Sequence, residues 1–126
     1  MSTSRYTLED GSVVNNVPNN YTGKLTNQLG SKYWYQDGKR HRLDGPAIDL
    51  ANGSKYWYQY GKLHRLDGPA IEYAAGGKCW YQEGERHRLD GPAVEFADGS
   101  KCWFIQNKQV IKTTQLVLLC LQVCSY

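Results

Sequence analysis

Residues 30–52 read GSKYWYQDGKRHRLDGPAIDLAN, and nearly the same 23 letters return from Gly53 and again from Gly76. A fourth copy begins at Gly99 as GSKCWFIQNK and then loses the pattern. A unit this short cannot bury a hydrophobic face alone, so each copy must be stabilised by stacking on its neighbours. The period therefore predicts a repeat array rather than a globule with one private core.

Composition limits the classes of function. The chain has 126 residues and a formal net charge of +3 at pH 7, which is too small to indicate a nucleic-acid-binding protein by itself. The N-terminal residues lack the apolar run of a secretory signal. The longest apolar run, Leu116 to Leu121, is far shorter than the ~20 residues of a membrane-spanning helix. We therefore expect a cytoplasmic protein with reduced cysteines and no transmembrane segment.

Two of the four cysteines replace tyrosines of the repeat. Cys79 and Cys102 occupy the position that Tyr33 and Tyr56 fill in the earlier copies. With two strands per copy, equivalent positions lie about 9.6 Å apart. A disulfide needs Cα atoms within about 7 Å. We therefore predict that no disulfide joins Cys79 to Cys102.

The sequence of each copy predicts two antiparallel strands. The segments around Trp34 and Ile48 are rich in β-favouring residues and alternate in character. The alternation assigns one buried face to Ile48, Leu50, Ile71, Tyr73, Val94 and Phe96. The acids Asp49, Glu72 and Glu95 are assigned to the opposite face.

Dipeptides that end in glycine mark the turns of the repeat. Asn52-Gly53 and Asp98-Gly99 predict type I′ hairpin turns, because that turn needs a positive φ at both central residues. A second set of positions predicts a turn or a G1 bulge in the middle of each copy. These positions are Gly38, Gly61, Gly84 and, by substitution with the next best left-handed residue, Asn107.

The sequence thus predicts an all-β protein, an elongated single sheet or open solenoid of antiparallel β-hairpin repeats with a 23-residue period. Residues 1–21 are predicted to be a loosely ordered leader, and residues 22–110 the repeat array, with residues 22–30 as its incomplete opening strand. Residues 111–126 are predicted to form an apolar cap. The apolar excess of this cap predicts that a partner covers it, that it mediates self-association or that it forms a short helix across the open end of the array.

The G-K-x-H segments Gly38–His41 and Gly61–His64, each placed after an aromatic strand, resemble the core of MORN repeats. The 23-residue period agrees with that family. The recurring Leu-Asp-Gly-Pro insertion is closer to the divergent MORN-like repeats of antitoxin-type proteins of bacteria, phages and large viruses. The resemblance covers about residues 22–110 and implies an open hairpin array that acts as an adaptor or binding surface.

The three histidines recur with the repeat and raise the question of a metal site. His41, His64 and His87 would be two strand spacings apart, too far for one ion, so a structural hydrogen bond to a neighbouring carbonyl is favoured. No Ser-His-Asp order, phosphate loop or clustered acid pair appears. Because catalysis requires groups that converge in a pocket, we expect no enzyme, no cofactor and no metal.

Arginines recur immediately after the histidines, at Arg42, Arg65 and Arg88, each two residues before an aspartate. The planar guanidinium matches a carboxylate, so one prediction is a ladder of arginine–aspartate pairs between copies. The alternative is that these arginines, with Arg40, Arg86, Lys39 and Lys62, present a basic stripe to an acidic partner, either a phosphate backbone or an acidic protein surface.

Repeat arrays bind through the positions that vary between copies. Tyr60 and Leu63 place apolar groups where the neighbouring copies carry charge, which is the layout of a hot spot with a polar rim. The charged equivalents are Asp37 and Glu83 for Tyr60, and Arg40 and Arg86 for Leu63. We predict that Tyr60 and Leu63 anchor a partner. The alternative, that both are incidental surface residues, remains open.

The expected function is a non-enzymatic protein–protein interaction module. A small phage or bacterial inhibitor or antitoxin that binds a host or defence enzyme, such as a toxin or a nuclease, fits this description. The alternative is a nucleic-acid-binding protein that uses the basic and aromatic columns.

Overall fold

The computed structural model describes residues 5–110. Every regular element in this range is a β-strand, and the strands form antiparallel pairs. The predicted all-β class with an open antiparallel sheet is confirmed. The strands are β1 (Tyr6–Leu8), β2 (Val13–Val14), β3 (Gly23–Asn27), β4 (Lys32–Gln36), β5 (Lys39–Arg40), β6 (Ile48–Asp49), β7 (Lys55–Tyr56), β8 (Tyr58–Gln59), β9 (Lys62–Leu63), β10 (Ile71–Glu72), β11 (Lys78–Cys79), β12 (Tyr81–Gln82), β13 (Glu85–Arg86), β14 (Val94–Glu95), β15 (Lys101–Ile105) and β16 (Lys108–Val110). The cap predicted for residues 111–126 lies outside the described residues.

The chain divides into two compact units, an N-terminal unit of residues 1–62 and a C-terminal unit of residues 63–126. In the N-terminal unit the strand order is β2-β1-β3-β4-β6-β7, and β5 pairs with the end of β4. In the C-terminal unit the order is β10-β11-β14-β15-β16, and β12 and β13 form a separate hairpin. Neither order returns to its first strand, so neither sheet closes into a barrel.

The first strands differ from the predicted leader. Strand β1 pairs with β2 on one side and with β3 on the other, where Leu8 faces Leu25. The Tyr21 hydroxyl donates to the Lys24 carbonyl (2.7 Å) and accepts a hydrogen bond from the Glu9 amide (3.1 Å). Strand β3, the predicted opening strand, would otherwise expose its hydrogen-bonding edge, and the β1–β2 hairpin covers it.

A row of apolar residues crosses each sheet and forms its buried face. Cross-strand pairing aligns Leu25, Tyr33, Ile48 and Tyr56 in the N-terminal unit. The same pairing aligns Ile71, Cys79, Val94 and Cys102 in the C-terminal unit. The predicted burial of Ile48, Ile71 and Val94 is confirmed.

Tyr73 departs from the predicted buried face, because 42% of it is exposed. Strand β10 ends at Glu72, and the Tyr73 carbonyl accepts from the Gly76 amide in the following turn (2.9 Å). The same turn follows Leu50 and Phe96, which are half-buried, so Tyr73 differs from its counterparts in exposure and not in the backbone turn.

The opposite face carries alternating charges. In the N-terminal unit Asp49 lies between Lys32 and Lys55 on the neighbouring strands, and Lys55 Nζ is 3.0 Å from Asp49 Oδ1. In the C-terminal unit Lys78 lies between Glu72 and Glu95. Opposite charges directly across a strand pair stabilise the register, because a shift by one residue would place them on the wrong face.

The turn in the middle of each copy is a two-residue hairpin turn. Gln36 pairs with Lys39, and the two residues between them, Asp37 and Gly38, have φ angles of 51° and 80°. Two positive φ angles in a two-residue connection define type I′. Later copies repeat this geometry at Tyr60-Gly61, Glu83-Gly84 and Gln106-Asn107. The predicted survival of the turn at Asn107 is confirmed.

The turns between copies are not of type I′, contrary to prediction. Of Asn52 and Gly53, only the glycine has a positive φ (99°), and its amide donates to the Leu50 carbonyl (2.9 Å). This is a type I turn followed by a G1 bulge. The Asn52 side chain instead accepts a hydrogen bond from the Ser54 amide (2.9 Å), which holds the asparagine in the turn.

The equivalent turn at Asp98 works in the same way. The Ser100 amide donates to Asp98 Oδ1 (2.9 Å), and this bond lowers the pKa of the exposed Asp98 carboxyl below its ordinary value. The side chains of Asn52 and Asp98 therefore serve as acceptors for the turn rather than as left-handed residues.

The two repeat cysteines differ in state. Cys79 carries a free thiol and Cys102 is disulfide-bonded. No bond joins the two, as predicted. The expectation of reduced cysteines, which rested on an assumed cytosolic compartment, is wrong for Cys102.

Candidate functional site

The arginine after each histidine is held within its own copy. In the first copy the Arg42 guanidinium carbon lies 3.8 Å from the centre of the Trp34 ring. Arg42 Nε donates to Asp44 Oδ1 (2.9 Å), and Nη1 donates to the Pro46 carbonyl (3.2 Å). We call this arrangement of arginine, tryptophan, aspartate and proline carbonyl the arginine clasp.

The arginine clasp recurs in the C-terminal unit. Arg88 lies 3.9 Å from the centre of the Trp80 ring and donates to Asp90 (3.1 Å) and to the Pro92 carbonyl (3.0 Å). Its Nη1 also lies 3.2 Å from Glu95 Oε2. Arg65 makes the corresponding bonds to Asp67 (3.0 Å), the Pro69 carbonyl (3.1 Å) and Glu72 (3.2 Å).

The glycine of each Leu-Asp-Gly-Pro segment leaves room for the guanidinium. A Cβ atom on Gly91 would lie 2.8 Å from the Arg88 guanidinium carbon. The corresponding distances are 3.0 Å at Gly45 and 2.9 Å at Gly68. A side chain at these positions would displace the guanidinium, so the glycine is part of the clasp.

These contacts correct the predicted ladder. The arginine–aspartate pairs lie within a copy, two residues apart, and not between copies. The arginine side chains are only 22–27% exposed. The guanidinium donors of these arginines already bond to groups of the loop. A free basic stripe is therefore not formed by Arg42, Arg65 and Arg88. The loop after the arginine curves back on it, and spacing in the sequence does not show that curvature.

The histidines connect successive hairpin turns. His41 Nδ1 accepts a hydrogen bond from the Tyr60 amide (3.0 Å), and the His41 ring centre lies 4.3 Å from that of Tyr60. His64 and His87 accept in the same way from the amides of Glu83 and Gln106, both at 3.0 Å. The predicted structural role is found, but the partner is an amide donor and not a carbonyl. The bond requires Nδ1 to be unprotonated.

Replacing His87 by alanine should lower the free energy of unfolding by about 1–2 kcal/mol, because it leaves the Gln106 amide without its acceptor. His87→Asn offers a side-chain oxygen as acceptor, and we expect it to recover part of the loss. Urea denaturation followed by tryptophan fluorescence measures both variants. Equal stability of His87→Ala and wild type would show that this bond does not couple the turns.

Tyr60 is the most unusual of the predicted anchors. Its side chain is 61% exposed, yet its φ of 51° is a left-handed conformation that a bulky residue seldom adopts. The backbone is held there by the amide bond to His41. Leu63 is half-buried, so it offers less apolar surface than predicted.

The remaining predicted arginines differ from each other. Arg40 is exposed, and its guanidinium carbon lies 5.5 Å from the centre of the Tyr58 ring. Arg86 lies 4.2 Å from the centre of the Phe104 ring, and its Nε donates to Asn107 Oδ1 (3.1 Å). Arg40 is thus the more available of the two for a ligand.

A leucine that is exposed in each of three copies was not predicted as a candidate site residue. Leu43, Leu66 and Leu89 stand after the clasp arginine and are 72%, 75% and 79% exposed. Their signal in the sequence was an apolar residue repeated without change inside a polar turn. The exposure of the Tyr73 side chain was not predicted either, because Tyr73 was assigned to the buried face of the sheet.

Comparison with known proteins gives no relative: no family model, no curated protein and no solved structure matches the chain. Within residues 5–110, no group of three histidine, cysteine, aspartate or glutamate side chains is placed to hold a metal ion. Among the same residues, no helix is long and apolar enough to cross a membrane.

Proposed function

We propose that this protein is a non-enzymatic protein–protein interaction module of the MORN-like type, and that the turn carrying Tyr60 contacts the partner. The observation that carries the proposal is a large, exposed aromatic ring in a left-handed turn position. A left-handed conformation costs an L-residue about 1–2 kcal/mol. Strain of this kind persists mainly where function requires the residue.

The repeat itself does not require the ring. The same turn position holds Asp37, Glu83 and Gln106 in the other copies, with φ angles of 49–52°. The amides of Glu83 and Gln106 make the same bond to a preceding histidine as Tyr60 does. The Tyr60 side chain is therefore available for recognition, and aromatic residues are enriched among binding hot spots.

The arginine clasp favours a protein partner over a nucleic acid. Three of the five predicted arginines are committed to their own loops, so these three are not available to neutralise a phosphate backbone. The partner class we propose is a host or defence enzyme, such as a toxin or nuclease, that is inhibited by a small phage or bacterial protein. The resemblance of the repeat to antitoxin-type MORN-like proteins supports this class.

Replacing Tyr60 and Leu63 together by alanine should weaken capture of the partner from the native host at least tenfold, since hot-spot truncations cost about 2 kcal/mol or more. The matched control is Glu83→Ala, which changes the same turn position in the next copy and should leave capture unchanged. A salt titration separates the alternatives, because binding to nucleic acid weakens steeply with salt.

A second variant tests the strain directly. Tyr60→Asn should raise the free energy of unfolding by about 1 kcal/mol, because asparagine tolerates the left-handed conformation, while it weakens capture. Unchanged capture by the folded double-alanine variant would contradict the proposed site, and unchanged stability of Tyr60→Asn would contradict the strain.

A further inference from the structure

The N-terminal unit contains a cavity of about 320 Å³ on the face of the sheet opposite Trp34. Tyr35 and Arg40 are directly opposed on β4 and β5, so both side chains lie on this face. Tyr33, two residues earlier on β4, and Tyr6 on β1 also line it. A cavity of this size is at the lower end of the range for small-molecule sites.

The cavity is positively charged. Arg5 and Arg40 both line it, and no aspartate or glutamate does. Within residues 5–110, no salt bridge joins a carboxylate to either arginine. These two guanidiniums therefore differ from those of the arginine clasp, whose donors are already used.

We propose that this cavity binds a small phosphorylated aromatic ligand of the nucleoside monophosphate class. A phosphate monoester carries a charge of about −1.5 to −2 at pH 7, which the two guanidiniums would balance, and its oxygens match their planar fork. The tyrosine rings offer π-faces and edges on which a base can stack. The proposal is independent of the partner site at Tyr60, because Tyr60 does not line the cavity.

The C-terminal unit provides an internal comparison. Its cavity of about 300 Å³ contains Cys79 in the place of Tyr33 and Arg86 in the place of Arg40. Arg86 is already bonded to Asn107 and packed on Phe104, and Glu95 lines the same cavity. The single positive charge of Arg86, already hydrogen-bonded and next to Glu95, does not balance the negative charge of a phosphate. We therefore expect only the N-terminal cavity to bind the phosphorylated ligand.

Isothermal titration of the full chain with AMP, adenosine and inorganic phosphate at low ionic strength tests the proposal. We expect AMP to bind at least about tenfold tighter than either fragment, because only AMP engages both arginines and rings. Arg40→Gln and Arg5→Gln should each weaken AMP binding about tenfold, in line with the loss of a charged hydrogen bond. Arg86→Gln is the matched control and should bind AMP as the wild type does.

The position of the site is measured by NMR, where AMP should shift the ring resonances of Tyr33 and Tyr35. Absence of AMP binding would overturn the proposal. Phosphate binding as tight as AMP binding would overturn the aromatic part of the ligand class. Equal loss in Arg86→Gln and Arg40→Gln would overturn the assignment to the N-terminal cavity.

Discussion

Replacing Arg88 by alanine should lower the free energy of unfolding by about 3 kcal/mol. The change removes the guanidinium from the face of Trp80 and takes the donor from the Pro92 carbonyl. It also leaves Asp90 and the half-exposed Glu95 without their shared cation. Each pair alone contributes little at a surface, but stacking and hydrogen bonding act on one planar group here.

Denaturation by urea, followed through tryptophan fluorescence, measures this loss. Arg88→Lys keeps the charge without the planar fork, and we expect it to recover less than half of the stability. Arg40→Ala is the control, because it removes an exposed arginine outside any clasp and should change stability by no more than about 0.5 kcal/mol. A loss in Arg88→Ala no larger than in Arg40→Ala would show that the clasp does not stabilise the copy.

Replacing Ala93 by leucine should also lower the free energy of unfolding by about 3 kcal/mol. Ala93 is completely buried beside Val94, Cys102 and Phe104. Its carbonyl accepts from the Trp80 amide (2.7 Å), so the backbone cannot move away to make room. The added carbons must displace packed side chains.

Ala97→Leu provides the matched control for this substitution, because Ala97 is exposed four residues later in the same copy. It should leave the unfolding midpoint in urea nearly unchanged. If Ala93→Leu were as stable as Ala97→Leu, the core beside Val94 would have room that the structure does not show.

The sequence predicted the features that depend on periodicity. The burial of Ile48 and two sheet strands per copy follow from alternation alone, but the additional short hairpin strands within each copy, such as β12 and β13, were not predicted. Turn types were predicted less well, because Asn52-Gly53 and Asp37-Gly38 carry equally strong type I′ signals. The two turns differ in type because the number of residues between the paired strand ends differs, and the sequence alone does not show which residues pair.

The candidate site was predicted only in part, because some of its features depend on how the chain folds in three dimensions. Tyr60 stood out because it varies between copies, and it is exposed as expected. The pairing of Arg42 with an aspartate was predicted, but it was placed between copies instead of within one, since the direction of a long side chain depends on the loop that folds around it. The exposure of Leu43 was not predicted, because hydrophobic character normally indicates burial.

The bond from the turn amides of Tyr60, Glu83 and Gln106 to the histidine of the preceding copy has a consequence for how such chains evolve. The donor is a backbone atom, so the side chain at that turn can be replaced while the bond remains. Asp37, Tyr60, Glu83 and Gln106 already show four different side chains on one backbone geometry. Single-codon substitutions at these turns could redirect recognition without refolding the scaffold, and the same positions are suitable for randomisation in a library of engineered binders.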